Sequence, residues 1–283
     1  MKRKILLSVV LAMLCMLTFS QELESMKDGQ VELFHDEVES IASFRADEDV
    51  LRTRAFFHVP DRLIPQLRCY FVNMERQKVC QDYLFADSLK RRVLNKLAIE
   101  RIFQDSIDIL LIPYNGNRIS GENISYALYL SKKIQLTDKQ YAQLMGRALD
   151  MAHRIRKNRV LNVWDEEMNV LQQVLDKKQL TLMFYKKNEP IVSSKLKEGW
   201  SRLQDEGLIE QLDSLKDIKQ ARHYYNESEK VRAIFRYKPS IRKKCLAEID
   251  RRKPLMVRLL DALDKKERMK KNEIESVGNE FVW

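Results

Sequence analysis

Glycine and proline are scarce, with seven and six in 283 residues. Chains built from many strands and tight turns need both, so their shortage argues against a β-rich fold. Seven glycines also leave little material for a phosphate-cradling loop, and neither a Gly-x-Ser-x-Gly elbow nor a dinucleotide fingerprint occurs. Cysteine is sparse as well, and no Cys-x-x-Cys pair exists, which speaks against redox or zinc chemistry. The four histidines, His35, His58, His153 and His223, stand singly among charges. His35 and Glu39 have i, i+4 spacing, but two groups make a solvated helix face far more often than a metal site. Adjacent acids, Asp47 with Asp49 and Asp165 with Glu166, are expected by chance in a chain with 41 of them. No cofactor, no metal and no catalytic constellation is expected, and the chain is read as a non-enzyme.

What is abundant is Leu, Lys, Arg, Glu, Gln, Met and Ala, the composition of long helices. The expected fold is all-α, an array of antiparallel helical hairpins that could close into a bundle. The N-terminus has the form of an export signal: Lys2, Arg3 and Lys4 precede an apolar run from Ile5 to Phe19, with small Ser20 before Gln21. As a helix those fifteen residues cover about 23 Å, short of a hydrocarbon core of about 30 Å, so cleavage near Ser20 is favoured over an anchor. Leu14 before Cys15 does not suit lipidation. The expected location is periplasmic or secreted, and Gln after a Ser cleavage position resembles exported proteins of the Bacteroidota.

The formal net charge is +10, and losing Lys2, Arg3 and Lys4 lowers it by three. Gln21 to Val50 holds ten acids against Lys27 and Arg45, whereas Lys230 to Lys271 holds sixteen bases against five acids. In an exported protein that tract points away from nucleic acid and toward anionic headgroups, acidic partner proteins or the chain's own acidic segment. Arg242, Lys243, Lys244, Arg251, Arg252 and Lys253 form the candidate basic surface. After export Cys69, Cys80 and Cys245 remain. On one helix Cys69 and Cys80 lie about 16 Å apart, too far for a bridge, so their pairing needs a turn near Asn73, and Cys245 is the alternative partner for either.

Along the chain, Val31, Phe34, Val38 and Ile41 space as a marginal helix within Glu22 to Asp49. His58 to Pro65 reads as a connector. Tyr83 to Leu111 has a strong apolar rhythm, with Leu84, Leu89, Val93, Leu94, Leu97, Ile102 and Ile109, starting at Asp82 or Asp87 and ending at Pro113. Pro113 to Gly121 is the densest turn signal and the expected division between regions 21–115 and 116–269, with 270–283 a frayed tail that Phe281, Val282 and Trp283 could dock. Asn123 to Ile134 is a short amphipathic run. Leu136-Thr137-Asp138-Lys139-Gln140 has the form of a capping box, and its helix should run to a basic end at Arg156 and Lys157 with Asn158 as the stop. A helix follows over Val163 to Val174, then Asp176 and Gln179 repeat the box, with Leu175 and Leu180 as a staple. Pro190 is expected to end that helix, with Ser193 or Ser194 capping the next. Gly207 is a soft break and Pro254 a kink. Most aromatics from Phe184 to Tyr237 fall in core phase, as do Met145, Met151, Met168 and Met183, although either set could form an adaptable binding surface.

The run Leu136-Thr137-x-x-Gln140 resembles the LTxxQ motif of the periplasmic Spy and CpxP family, and Leu175-Asp176-x-x-Gln179 resembles a second copy with Asp for Thr. The resemblance covers about Ile124 to Lys187 and does not extend to the C-terminal third. It implies an all-helical, ATP-independent chaperone or envelope-stress regulator, a homodimer, and Leu136, Thr137 and Gln140 as motif residues. From the residues alone, Thr137 and Gln140 are helix caps. The expected function is polypeptide binding, chaperone-like or as an adaptor. The alternative is an envelope scaffold docking through the basic tract on anionic lipid or a protein partner. An enzyme would require His153, His223, Glu166 or Tyr225 to converge.

Overall fold

The computed structural model describes residues 28–157 and 162–279. The export signal, Asn158 and the Phe281–Trp283 plug lie outside the described residues. Among these there are ten α-helices and no strand: α1 (Asp28–Phe56), α2 (Ile64–Leu84), α3 (Leu89–Ile119), α4 (Glu122–Tyr129), α5 (Asp138–Arg156), α6 (Val163–Val174), α7 (Lys177–Asp205), α8 (Ser214–Ile234), α9 (Pro239–Asp250) and α10 (Leu255–Asn279). No described helix is long and apolar enough to cross a membrane. The chain packs as two units. One comprises the described residues up to Tyr129 with those of Ala142–Val163; the other comprises Leu130–Tyr141 and the described residues from Trp164 onward.

In the first unit α1, α2 and α3 pack in succession as antiparallel neighbours. Arg76 of α2 reaches Glu39 near the start of α1, while Arg68 reaches Asp47 nearer its end. Lys96 and Lys78 similarly join α2 and α3 through Asp82 and Glu100. Val38, Ala42, Ala46 and Val50 form the buried stripe of α1, which is longer than its weak sequence pattern suggested. Pro65 opens α2 in its first turn, where a missing N–H costs nothing. Helix α2 runs unbroken through Asn73, and Cys69, Cys80 and Cys245 are free thiols.

Two prolines expected to end helices do not. Helix α3 continues past Pro113 with a kink at Asn115 (φ −134°, ψ 31°) and ends at Ile119. Thus the turn-rich segment makes a corner between α3 and α4. Asn115 is buried there and grips the α1–α2 connector: its Oδ1 accepts from the His58 N–H at 2.7 Å and its Nδ2 donates to the His58 carbonyl at 2.8 Å. Gly116 is needed at the corner, because a Cβ would collide with the Ser125 side chain and the Gly121 carbonyl. Helix α7 likewise runs through exposed Pro190. The buried side chains on both sides of it, Met183, Phe184, Val192 and Leu196, offset the lost hydrogen bond. Ser193 and Ser194 are therefore not caps; they hydrogen-bond Glu189 and Glu198 within the helix. The single helix expected from Tyr83 is instead split at Phe85–Ser88 between α2 and α3.

The second unit is built on α7, which packs against α8 and α10. Val192, Leu196, Leu203, Ala221, Met256, Val257, Leu260 and Leu263 make its core, with Trp200, Tyr224 and Tyr225 packed around them. A Cβ on Gly199 would stand 2.7 Å from Leu260, so glycine permits the close approach of α7 and α10. Gly207 ends α7 in the left-handed region (φ 70°), with Leu208 N–H on the Leu203 carbonyl and Gly207 N–H on that of Gln204, a Schellman stop. Pro254 separates α9 from α10 rather than kinking one helix. Helix α10 continues through Lys270 to Asn279.

Candidate functional site

The two capping boxes meet. Thr137 Oγ1 accepts from the Gln140 N–H at 3.2 Å and Gln140 Oε1 accepts from the Thr137 N–H at 3.0 Å. At the start of α7, Asp176 Oδ1 accepts from the N–H groups of Lys178 and Gln179, and Gln179 Oε1 accepts from the Asp176 N–H at 3.1 Å. The two glutamines then face each other. Gln140 Nε2 donates to Gln179 Oε1 at 2.8 Å, and Gln179 Nε2 donates to Gln140 Oε1 at 3.1 Å. Their remaining amide hydrogens go to backbone of the opposite arm, Gln140 to the Val174 carbonyl and Gln179 to that of Gln135, at 2.9 and 3.0 Å. Each glutamine thus caps its own helix and clasps the other. Gln135, which receives the second bond, is the one described non-glycine residue at positive φ (54°). All of these groups lie in the second unit.

The basic surface is divided by its own hydrogen bonds. Arg242 donates to the Arg236 carbonyl, Arg251 pairs with Glu248 at 2.9 Å, and Lys253 pairs with Asp261 at 2.6 Å while lying over the Tyr224 ring. Lys243, Lys244 and Arg252 are exposed and make no ion pair among the described residues. Helix α9 has no buried residue.

Leu89, Val93, Leu94 and Leu97, part of the apolar rhythm of the Tyr83–Leu111 stretch, project from the first half of α3 in the first unit; Leu89 is 68% exposed and Leu94 57%. Burial on α3 begins at Ile99 and is concentrated from Ile107 onward. Lys90 and Arg101, at either end of this row, are exposed and form no ion pair among the described residues, and Arg91 lies 5.8 Å from the Phe85 ring centroid. The charge density of Leu89–Ala98, with four Lys and Arg among ten residues, was the available signal that this stretch is not enclosed.

The groups named for chemistry are held by separate neighbours. Glu39 is engaged by Arg76, so it is not a free partner for His35. Asp47 is bound by Arg68, whose hydrogen bond holds its carboxyl low, whereas burial and then the Glu75 charge push Asp49 up. His153 contacts Asp105 at 2.6 Å in the first unit; His223 contacts Tyr185, and Tyr225 packs on Tyr224, in the second. Among the described residues no group of three or more His, Cys, Asp and Glu is placed to hold a metal. Met145, Met151, Met168 and Met183 are all buried and therefore fill core.

No family model matches the chain, and no curated protein or solved structure matches it.

Proposed function

We propose that the chain is an exported, non-enzymatic protein that binds other polypeptides in a chaperone-like or adaptor manner. The observation that carries this reading is the uncovered row Leu89, Val93, Leu94 and Leu97 beside unpaired cations. A row of large aliphatic side chains in water favours association with other apolar surface, and cations at its edge suit segments that carry acids. The other ground for this reading is the resemblance of Leu136, Thr137 and Gln140 to the LTxxQ motif of the Spy and CpxP family.

The test is suppression of aggregation of an unfolding client by the mature protein from Gln21, without ATP, at low and high salt. Suppression is expected at both, and the triple variant L89S/L94S/L97S should lose it while keeping its helical circular dichroism. Wild-type protein that leaves aggregation unchanged would sink the reading. The free side chains of Lys243, Lys244 and Arg252 favour a second reading, an envelope scaffold docking on anionic lipid. It predicts cosedimentation with anionic vesicles that salt abolishes.

A further inference from the structure

A cleft of about 760 Å³ opens in the second unit between α8, α9 and the start of α10, lined by Lys216, Lys219, His223, Tyr224, Arg252 and Pro254 among others. Its volume is that of a small-molecule site. Its charge is one-sided once pairings are followed. The two carboxylates in its wall are both engaged by cations that do not line it, Glu227 by Lys230 at 2.7 Å and Glu248 by Arg251 at 2.9 Å. Lys216, Lys219 and Arg252 make no ion pair among the described residues, although many cations in the same unit, such as Lys195, Arg202 and Lys253, do.

His223 is oriented from behind. Tyr185 Oη donates its one hydrogen to Glu227 Oε1 at 2.8 Å, so at 2.9 Å from His223 Nδ1 it accepts, which places a hydrogen on Nδ1. Nε2 is the ring atom left for a ligand. It can accept from a protonated phosphate oxygen or, as imidazolium, donate to an ionised one. Lys216, Lys219 and His223 follow one face of α8 over about 10 Å, which exceeds the span of a single phosphate. Tyr224, Ile249 and Pro254 add apolar surface. Helix α10 starts at Leu255, directly after the cleft-lining Pro254, with no acid in its first turn, so its positive end adds to the field.

We infer that this cleft binds an organic anion bearing two phosphate groups, or a phosphate and a second acid, gripped by Lys216, Lys219 and Arg252 and aligned by His223. The phosphate could belong to a soluble metabolite or to a lipid headgroup. The experiment titrates the mature protein with inorganic pyrophosphate at low ionic strength, by calorimetry and by heteronuclear NMR of the histidine ring nitrogens. Saturable binding is expected, with the His223 ring resonances moving. K216M/K219M/R252M should weaken it at least tenfold, and Tyr185→Phe severalfold with a changed His223 tautomer signature. K186M/K197M, at exposed positions of α7 outside the cleft, should leave it unchanged. Failure to saturate, or equal weakening by K186M/K197M, overturns the inference. Competition by phosphatidic acid vesicles assigns the site to headgroups; pyrophosphate binding that vesicles do not displace assigns it to soluble phosphates.

Discussion

Asn115 is the residue on which the first unit's corner turns. It leaves the helical region and pairs both backbone polar groups of His58, so a leucine there removes the partner of a donor and of an acceptor in the connector. Each lost bond costs about 0.5–1.5 kcal/mol, and Asn115→Leu should lower the melting temperature accordingly. Gly116→Ala should be as damaging, since the obstructing atoms include backbone. In the second unit Gln140→Ala and Gln179→Ala should each cost about 1–2 kcal/mol in denaturant melts. Because the two side chains share their bonds, the double variant should cost less than the sum; strict additivity would show that the clasp is not formed. Glu227 supplies a pH test. Burial alone raises its carboxyl, but hydrogen bonds from Lys230 and Tyr185 outweigh burial and leave it below the usual value. A lowered folded-state pKa stabilises above the unfolded value and loses that contribution as pH falls through the folded one. Wild type should therefore exceed Glu227→Gln in melting temperature near neutrality, and the gap should close in acid; a gap independent of pH contradicts the assignment. Caps such as Thr137 and Gln140 were legible because they act within four residues. The meeting of Gln140 with Gln179 was not, since it depends on how two distant helix starts are brought together.

At the level of helices, proline proved a weaker stop than packing. Pro190 removes one hydrogen bond from α7, yet residues before and after it are enclosed on the same helix. A proline inside a helix costs about 3 kcal/mol relative to alanine. Since Pro190 is exposed, Pro190→Ala should raise thermal stability, by an amount reduced to the extent that α7 has already adapted; a drop would mean that the ring is packed. Local sequence shows the missing N–H but not the tertiary contacts that override it. The first half of α3 teaches the converse. Periodicity at Leu89, Val93, Leu94 and Leu97 reports that the side chains share a face, not that anything covers that face. The all-α character was legible from composition, and the amphipathic run from Asn123 to Ile134 buries its apolar residues Ile124, Ala127, Leu128 and Leu130.

Across the whole chain the division into two units falls between Tyr129 and Leu130, again between Tyr141 and Ala142 at the end of the first turn of α5, and a third time before Trp164. No glycine or proline marks the first of these points, while the strongest breakers, Pro113 to Gly121, serve a corner within one unit. Composition therefore could not reveal it. Trp164 and Trp200 both belong to the second unit, and Trp283 lies outside the described residues. Tryptophan fluorescence and far-ultraviolet circular dichroism should consequently give urea transitions that do not superimpose, as expected when separately packed units unfold. Coincident curves would show that the chain melts as one. The clasp also bears on descent. A glutamine side chain is its own complement, donor and acceptor together, so a glutamate or lysine at either position leaves like facing like. In any lineage carrying this fold, positions 140 and 179 should change together or not at all, and a shared substitution there would mark common ancestry even where the surrounding helices have diverged.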